Sequence, residues 1–569
     1  TYAAAAPTAD FNGDGKLDVF LASWWPEQSS LLLQNETRGG HWLDVRVAGD
    51  GKRVSRQGIG ARVFVYPAGR LGDRTSLVGH REIAVGQGYV SGQPAAAHFG
   101  LGERQQVDVE VVLPHGRGRV ERRGVAADRL LVVDVGAAVS PPANSSAAAK
   151  GWTEPRLPDG KPLVGISSKR FLERPEGIAA GVAVAATPPV VDVLVYPGQT
   201  YEGRPWSNWG QGCFLAGRHY SSIGDHRSPA GTARVFEYDP RQRTLCQVVD
   251  TESLYRRPAG EYSPAKIHGR LDVAGDGRIY FATHRGSAST TTDAHSYRGD
   301  DILAWDPVTG GTEVVAMAPV ARHSIPTSLV DPERMIFYGG TAAGKNSPDQ
   351  AVQFLAYDLR ARKAVQLSPD GPPRCVIWSR STGRVYFVPE SSKTGQLVRF
   401  DPARPGPPEP TAVMLGLRAA SLETPQGLVY AIGSGQGGQD PEVHAFDVRT
   451  ERADRLGTAA VGAETYVASV VADETGRYLY YVPGAHGSAG RDGTPVVQFD
   501  TRQRTKKVIA FLAPYFRETH GFWPAGTYST VLGEDGGTLY ITFNTNRGTK
   551  VWDHCTLFVV HIPESERRL

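Results

Sequence analysis

The chain reads as an all-β protein in two parts, a small β domain followed by a larger ring of repeated β units. Three observations predict this. Short segments alternate apolar and polar residues with a period of two, the signature of half-buried strands. Gly 66 and Pro 40 are abundant among 569 residues, and long Ala/Glu/Lys/Leu blocks are missing, so turns are many and helices few. A strand ending in an aromatic residue and Asp returns through the second part. The length also exceeds what one core normally supports.

Residues 1–40 are dominated by Asp10-Phe-Asn12-Gly-Asp14-Gly-Lys16-Leu-Asp18. Hard oxygen side chains at alternate positions around a glycine are how a short loop wraps calcium. An EF-hand would need a bidentate Glu at the twelfth position, which is Leu21 here. The ring closes instead on Asp18, with the Lys16 carbonyl between, and Val19-Phe-Leu21 follows as a strand. The expected cofactor is therefore Ca2+ on Asp10, Asn12, Asp14, Lys16 and Asp18; the alternative is an Asx-rich turn with no ion.

Residues 41–136 carry Trp42-Leu-Asp-Val-Arg-Val47, Ala61-Arg-Val-Phe-Val-Tyr66, Val107-Asp-Val-Glu-Val-Val-Leu113 and Leu130-Leu-Val-Val-Asp-Val135. Glycine-rich turns separate them, which predicts a compact β domain. Residues 137–160 are small, with prolines and no apolar period, and read as a linker. The calcium loop resembles an FG-GAP repeat, as in integrin α chains. His41-Trp-Leu43, Gly58-Ile-Gly-Ala-Arg-Val63, Gly86-Gln-Gly-Tyr-Val-Ser91 and His98-Phe-Gly-Leu-Gly102 resemble the ASPIC/UnbV domain of cartilage acidic protein relatives. Two departures stand out: one FG-GAP repeat remains where the family has several, and the usual Trp-Pro-x-Gly is Leu113-Pro-His-Gly116. The resemblance implies a protein outside the cell or on its surface, the periplasm included, and no settled chemistry.

Residues 161–569 contain the repeat. Phe236-Glu-Tyr-Asp239, Leu303-Ala-Trp-Asp306, Leu355-Ala-Tyr-Asp358, Val398-Arg-Phe-Asp401, Val443-His-Ala-Phe-Asp447 and Val497-Gln-Phe-Asp500 match, and Phe558-Val-Val-His-Ile-Pro563 is a degenerate seventh copy. A spacing of roughly 45–65 residues suits four-stranded propeller blades with insertions. A second strand precedes each match, as at Ile279-Tyr-Phe-Ala-Thr283 and Leu428-Val-Tyr-Ala431, entered through tight turns such as Gly275-Asp-Gly277. The order is inner strand, turn, second strand, loop, aromatic-Asp strand, outer strand. The predicted fold is a seven-bladed β-propeller. Its last unit lacks an outer strand, so one from 161–171 or 190–196 must close the ring.

In a propeller, residues entering the innermost strands and leaving the second strands share one face. Those slots hold six of the 15 histidines: His219, His268, His284, His323, His486 and His520. Arg374, Arg418, Tyr466, Trp523 and Tyr528 lie in or beside them. A His/Arg/Tyr mouth suits an anionic sugar: Arg pairs with carboxylate and His or Tyr moves protons. The arrangement is similar to that of seven-bladed polysaccharide lyases. The resemblance implies β-elimination on uronic-acid glycans, with His268, His284, Arg374, His520, Tyr466 and Tyr528 catalytic and His219, His323, Arg418 and Trp523 binding substrate. The alternative is a non-catalytic module binding a polysaccharide, a cell-surface glycan or a protein. Whether a second metal sits among His219, His268, His284 and His323 stays open.

Other classes fit poorly. Lys+Arg 62 against Asp+Glu 59 gives +3 with no basic run, so nucleic acid is not an expected partner. No apolar stretch approaches membrane-spanning length. The four cysteines show no CxxC, which disfavours zinc ribbons, redox dithiols and covalent haem. Glu390 and Glu464 are the only acids clearly in the slots, so carboxylate-pair hydrolysis fits poorly. No fingerprint of a redox cofactor occurs.

Overall fold

The computed structural model describes residues 3–567 apart from 26, 50, 52–53, 74–75, 85, 87–91, 115–118, 136–155, 158–159, 200–205, 228, 308 and 435–440. Nearly all of the expected linker at 137–160, and most of the Gly86–Ser91 motif, lie outside the described residues. The chain divides into two compact units, residues 1–145 and 146–569.

In the first unit, Asp18–Ser23 pairs with Ala3–Ala5, Thr8–Ala9 and Leu31–Leu33 in a small antiparallel sheet. Two further sheets follow. One orders Arg119–Ala126, Gln106–Val112, Arg62–Pro67 and Gly79–Glu82; the other orders Arg129–Asp134, His41–Ala48 and Ala97–Gly102. The alternation read in the sequence faces Leu43, Val45, Val47, Val63, Val65, Val109 and Val111 into one core. Gln106–Val112 is buried on both faces, so its acids must be satisfied. Glu110 accepts from Tyr66 Oη at 3.0 Å and Arg119 at 3.1 Å, and Asp108 from the N–H groups of Gly69 and Gly124.

The second unit is a seven-bladed propeller. Blades 1 to 5 are four-stranded in chain order, from Cys213–Leu215 to Arg452–Thr458. Blade 6 consists of Val470–Ala472, Tyr478–Tyr481, Pro495–Asp500 and Thr505–Phe511, with Ala183–Val184 added in parallel. Blade 7 has three long strands, Phe522–Leu532, Thr538–Arg547 and Lys550–His561. Val190–Val195 is its outer strand and Leu163–Ile166 adds beyond, so both segments left open by the sequence are used.

Apolar clusters fill each gap between neighbouring blades. The gap between blades 7 and 1 is filled by Leu194, Tyr540 and Leu557 against Ile223, Phe236 and Tyr238. That packing closes the ring and leaves only short, protected sheet edges. The aromatic-Asp motif falls at the end of the third strand in blades 1 to 6, and its Asp has a local reason. Asp239 Oδ1 accepts the N–H groups of Arg241 and Gln242; Asp358, Asp447 and Asp500 do the same for the turns that follow them. The aromatic residue before it packs between blades, as Phe400 and Phe446 do.

All four cysteines are free thiols. Among the described residues no helix is long and apolar enough to cross a membrane.

Candidate functional site

The chain entering blade 1 puts Trp209 at the mouth of the propeller axis. Its Nε1–H donates to Ser207 Oγ at 2.6 Å and lies 2.7 Å from His226 Nε2; Ser207 Oγ is itself 2.7 Å from that nitrogen. This small network fixes the indole. His268 stacks on it with centroids 5.6 Å apart and planes 19° from parallel, and Lys266 Nζ sits 4.6 Å from its centroid. Tyr528, Trp552 and His486 approach at 4.9, 5.4 and 6.1 Å.

Strand geometry accounts for the grouping. Lys266 and His268 are two apart in extended chain and so share a face. Lys266 and His284 exchange both backbone hydrogen bonds, at 2.8 and 3.1 Å, and the His284 ring meets His268 edge-on at 5.2 Å. Blades 5, 6 and 7 supply a second group. Arg418 Nε–H donates to Tyr466 Oη at 2.6 Å and its guanidinium lies 5.9 Å from the Tyr528 ring. Tyr466 stacks on His486 at 4.6 Å, and His486 Nδ1 is 2.8 Å from Tyr528 Oη. Arg374 enters from blade 4 and is exposed. A cavity of about 60 Å³ lies among Trp209, His268, Arg270, Arg374, Arg418 and Tyr528. That volume holds a few waters.

The electrostatics are one-sided. Among the described residues no carboxylate pairs with Lys266, Arg374 or Arg418, and the fixed charges acting on His268 and His486 are cations. Burial first, then Lys266, Arg374 and Arg418, hold the His268 imidazole down to about 3, against its hydrogen bond to the Pro326 carbonyl at 2.8 Å. That bond puts the proton on Nδ1 and leaves Nε2 as a lone pair. His284 is pushed well below the usual range by burial first, then by His268, Lys266, Arg285 and His226, and its buried Nδ1 has no described partner. Burial also lowers Lys266 to about 8, with Arg285 adding to the effect. Tyr528 is raised by burial, which its neighbouring arginines oppose.

The sequence candidates are thus placed unevenly. His268, His284, Arg374, Arg418, Tyr466 and Tyr528 lie at the mouth. His219 does not. It starts the second strand of blade 1, Arg218–Gly224, and is buried against Tyr540 at 5.1 Å between blades 1 and 7. The residue leaving that strand is His226. His323 starts a long inner strand, His323–Asp331, with ring nitrogens engaged by Thr341, Ser347 and the Asp349 carbonyl. His520 ends the helix Leu512–His520 and packs on Tyr515, Phe516 and Phe522. It stands eight residues before Tyr528, roughly 25 Å of extended chain. Trp523, on the same long strand, stacks under Arg517 at 4.2 Å. Trp209, His226 and Lys266 were missed. The signal for the first two was Ala216-Gly217, whose φ of 50° and 77° make the tight turn between the inner and second strands of blade 1. Reading that turn sets the register and brings Trp209 and His226 into the slots.

In the first unit, Asp10 Oδ1 accepts from Gly13 and Asp14 N–H and Oδ2 from Gly15 N–H. Asp18 accepts from Phe11 and Asn35, Asn12 from Asp14, and Lys16 Nζ lies 3.4 Å from Asp14 Oδ2. The donor chemistry suits calcium, but the side chains adopt the Asx-turn arrangement. Among the described residues no three His, Cys, Asp or Glu side chains form a metal-holding group, in this loop or at the mouth.

Residues 51–140 match the family model described as ASPIC and UnbV; the loop at 10–18 lies outside the match, so its FG-GAP likeness rests on the residue pattern alone. No curated protein matches the chain. Similar solved structures include an oligogalacturonate lyase in complex with manganese, 11% identical with a TM-score of 0.42 over 68% of this chain and 100% of that one. The β-propeller domain of the Trilobed protease from Pyrococcus furiosus is 10% identical, TM-score 0.38, over 62% and 94%. An uncomplexed acylaminoacyl peptidase from Pyrococcus horikoshii is 9% identical, TM-score 0.40, over 64% and 54%. The likeness concerns the fold alone.

Proposed function

We propose that the propeller mouth binds uronic-acid-containing glycans and cleaves them by β-elimination, in a protein that works outside the cell or at its surface. The observation that carries this is the convergence of Lys266, Arg374 and Arg418, without carboxylate partners among the described residues, on a mouth of neutral imidazoles and tyrosines. Unpaired cations of this kind favour an anionic ligand. Elimination needs three groups: one to neutralise the uronate carboxylate, one to take the C5 proton, one to protonate the leaving oxygen. Arg374, exposed and without a carboxylate partner among the described residues, suits the first role. The cluster holding His268 and His284 supplies the second. Tyr466 or Tyr528 supplies the third, and Arg418 Nε–H aimed at Tyr466 Oη would stabilise the oxygen once its proton leaves.

The second reading is a non-catalytic glycan- or protein-binding module. It is favoured by the burial that holds His226 and His268 near 3, where imidazole is a weak base. Incubation with a panel of uronic-acid glycans, followed by ultraviolet absorbance, separates the two. Elimination creates a double bond conjugated to the carboxylate and absorbance rises. Retention of intact glycan in a pull-down, with no absorbance, favours the module.

Calcium at Asp10, Asn12, Asp14, the Lys16 carbonyl and Asp18 is part of the same proposal, supported by the hard-oxygen donor set and by the backbone N–H groups that orient Asp10. The ion would add rigidity to the first unit.

A further inference from the structure

We propose that Lys266 is the proton acceptor of the mouth, the group that takes the C5 proton of a bound uronate; this rests on the elimination chemistry inferred above. Three features of geometry carry it. Nζ is held 4.6 Å from the Trp209 centroid, and the indole is itself fixed by Ser207 and His226. Lys266 lies two residues before His268, exchanges backbone hydrogen bonds with His284 and stands over the Trp209 ring, so it belongs to the cluster. No described carboxylate pairs with it, so among the described residues no fixed anion holds its proton. Burial, then Arg285, brings its ammonium down to about 8, near the range in which a general base works best. His226 and His268, held near 3, are far weaker acceptors.

The step balances within the site. The C5–H bond breaks, its proton moves to Nζ, and its electron pair is delocalised into the carboxylate facing Arg374. The C4–O bond then breaks to give C4=C5, and the leaving oxygen takes the proton of Tyr466 or Tyr528. Lys266 returns its proton to the tyrosinate through solvent. No co-reactant is consumed.

Two measurements on the full chain test this. In competitive acetylation from pH 6 to 10, read by mass spectrometry, Lys266 should reach half its limiting reactivity near pH 8, and polygalacturonate should protect it. An ordinary lysine is neutral in only about 1 molecule in 300 at that pH. Reactivity that rises only near pH 10, or that polygalacturonate leaves unchanged, overturns the role. In kinetics, the wild-type rate should rise with pH through about 8, because the base must be neutral. Lys266→Arg, which keeps the charge and cannot give it up, should lose about 100-fold or more in kcat with little change in KM. A Lys266→Arg enzyme within about threefold of wild type makes Lys266 a charge partner and ends the base assignment alone. A wild type inactive on every uronate glycan ends the elimination reading together with it.

Discussion

Val193→Ala probes the strand that closes the ring. Val193 is fully buried, faces Phe558 of blade 7 on one side and Leu163 on the other, and belongs to the core shared with blade 6. Deleting two methyl carbons forfeits about 1.6 kcal/mol at roughly 0.8 per carbon. The cavity left behind raises this to roughly 2–3 kcal/mol, because such a core relaxes only in part. Val190 provides the internal control. It lies on the same strand, opposite His561, but is 39% exposed. Val190→Ala gives up the same strand preference, a fraction of about 1 kcal/mol, with little burial. The difference between the variants should therefore be about 2 kcal/mol, a shift of roughly 2–4 °C in the melting of a unit this large. Calorimetry and urea unfolding, each following the transition of residues 146–569, measure it. Equal losses in the two variants, or none in Val193→Ala, would mean that Val190–Val195 is not seated in blade 7.

Three further outcomes are expected. Arg374→Ala should raise KM for uronate oligosaccharides about 100-fold, the loss of a charged hydrogen-bond partner, while its exposure leaves the melting temperature unchanged; steady-state kinetics and calorimetry read the two. Asp300 is buried, with its carboxylate accepting from Tyr262, Thr283 and Tyr297, and burial raises it to about 7. A folded-state value above the unfolded one near 4 means stability is full in acid and declines as pH rises toward 7, by an order of a few kcal/mol. Melting curves from pH 4 to 8 should show that decline, and Asp300→Asn should flatten it. Calcium titration should raise only the transition of residues 1–145, and Asp14→Ala should remove the response; an unmoved transition leaves an Asx-turn loop without an ion.

The blades were legible because each repeats a local device. In blades 1 to 6 the Asp ending the third strand binds the N–H groups of its own turn, and the aromatic residue before it fills the gap between blades, so both are demanded within one unit. The mouth was legible only where strand lengths are ordinary. The short inner strands Asp272–Val273 and Val376–Trp378 put His268 and Arg374 where the slots said. The long strands His323–Asp331 and Phe522–Leu532 carry their first residues away from the axis, which removes His323, His520 and Trp523. Bulges at Pro524/Gly526 and Thr527/Ser529 then decide which residue faces inward, and nothing periodic marks them. Lys266 escaped notice because its environment comes from four separate chain segments. Its spacing along the chain carries no such signal.

Mass spectrometry of the products formed in water enriched in oxygen-18 tests the central claim most directly. Elimination breaks the C4–O bond without adding water, so a cleaved uronate oligosaccharide should yield fragments whose masses sum to that of the substrate. One fragment should carry the new double bond and neither should carry the label. Labelled fragments whose masses exceed the substrate by one water would show hydrolysis and contradict the account. Intact glycan recovered in complex with the protein would contradict catalysis altogether.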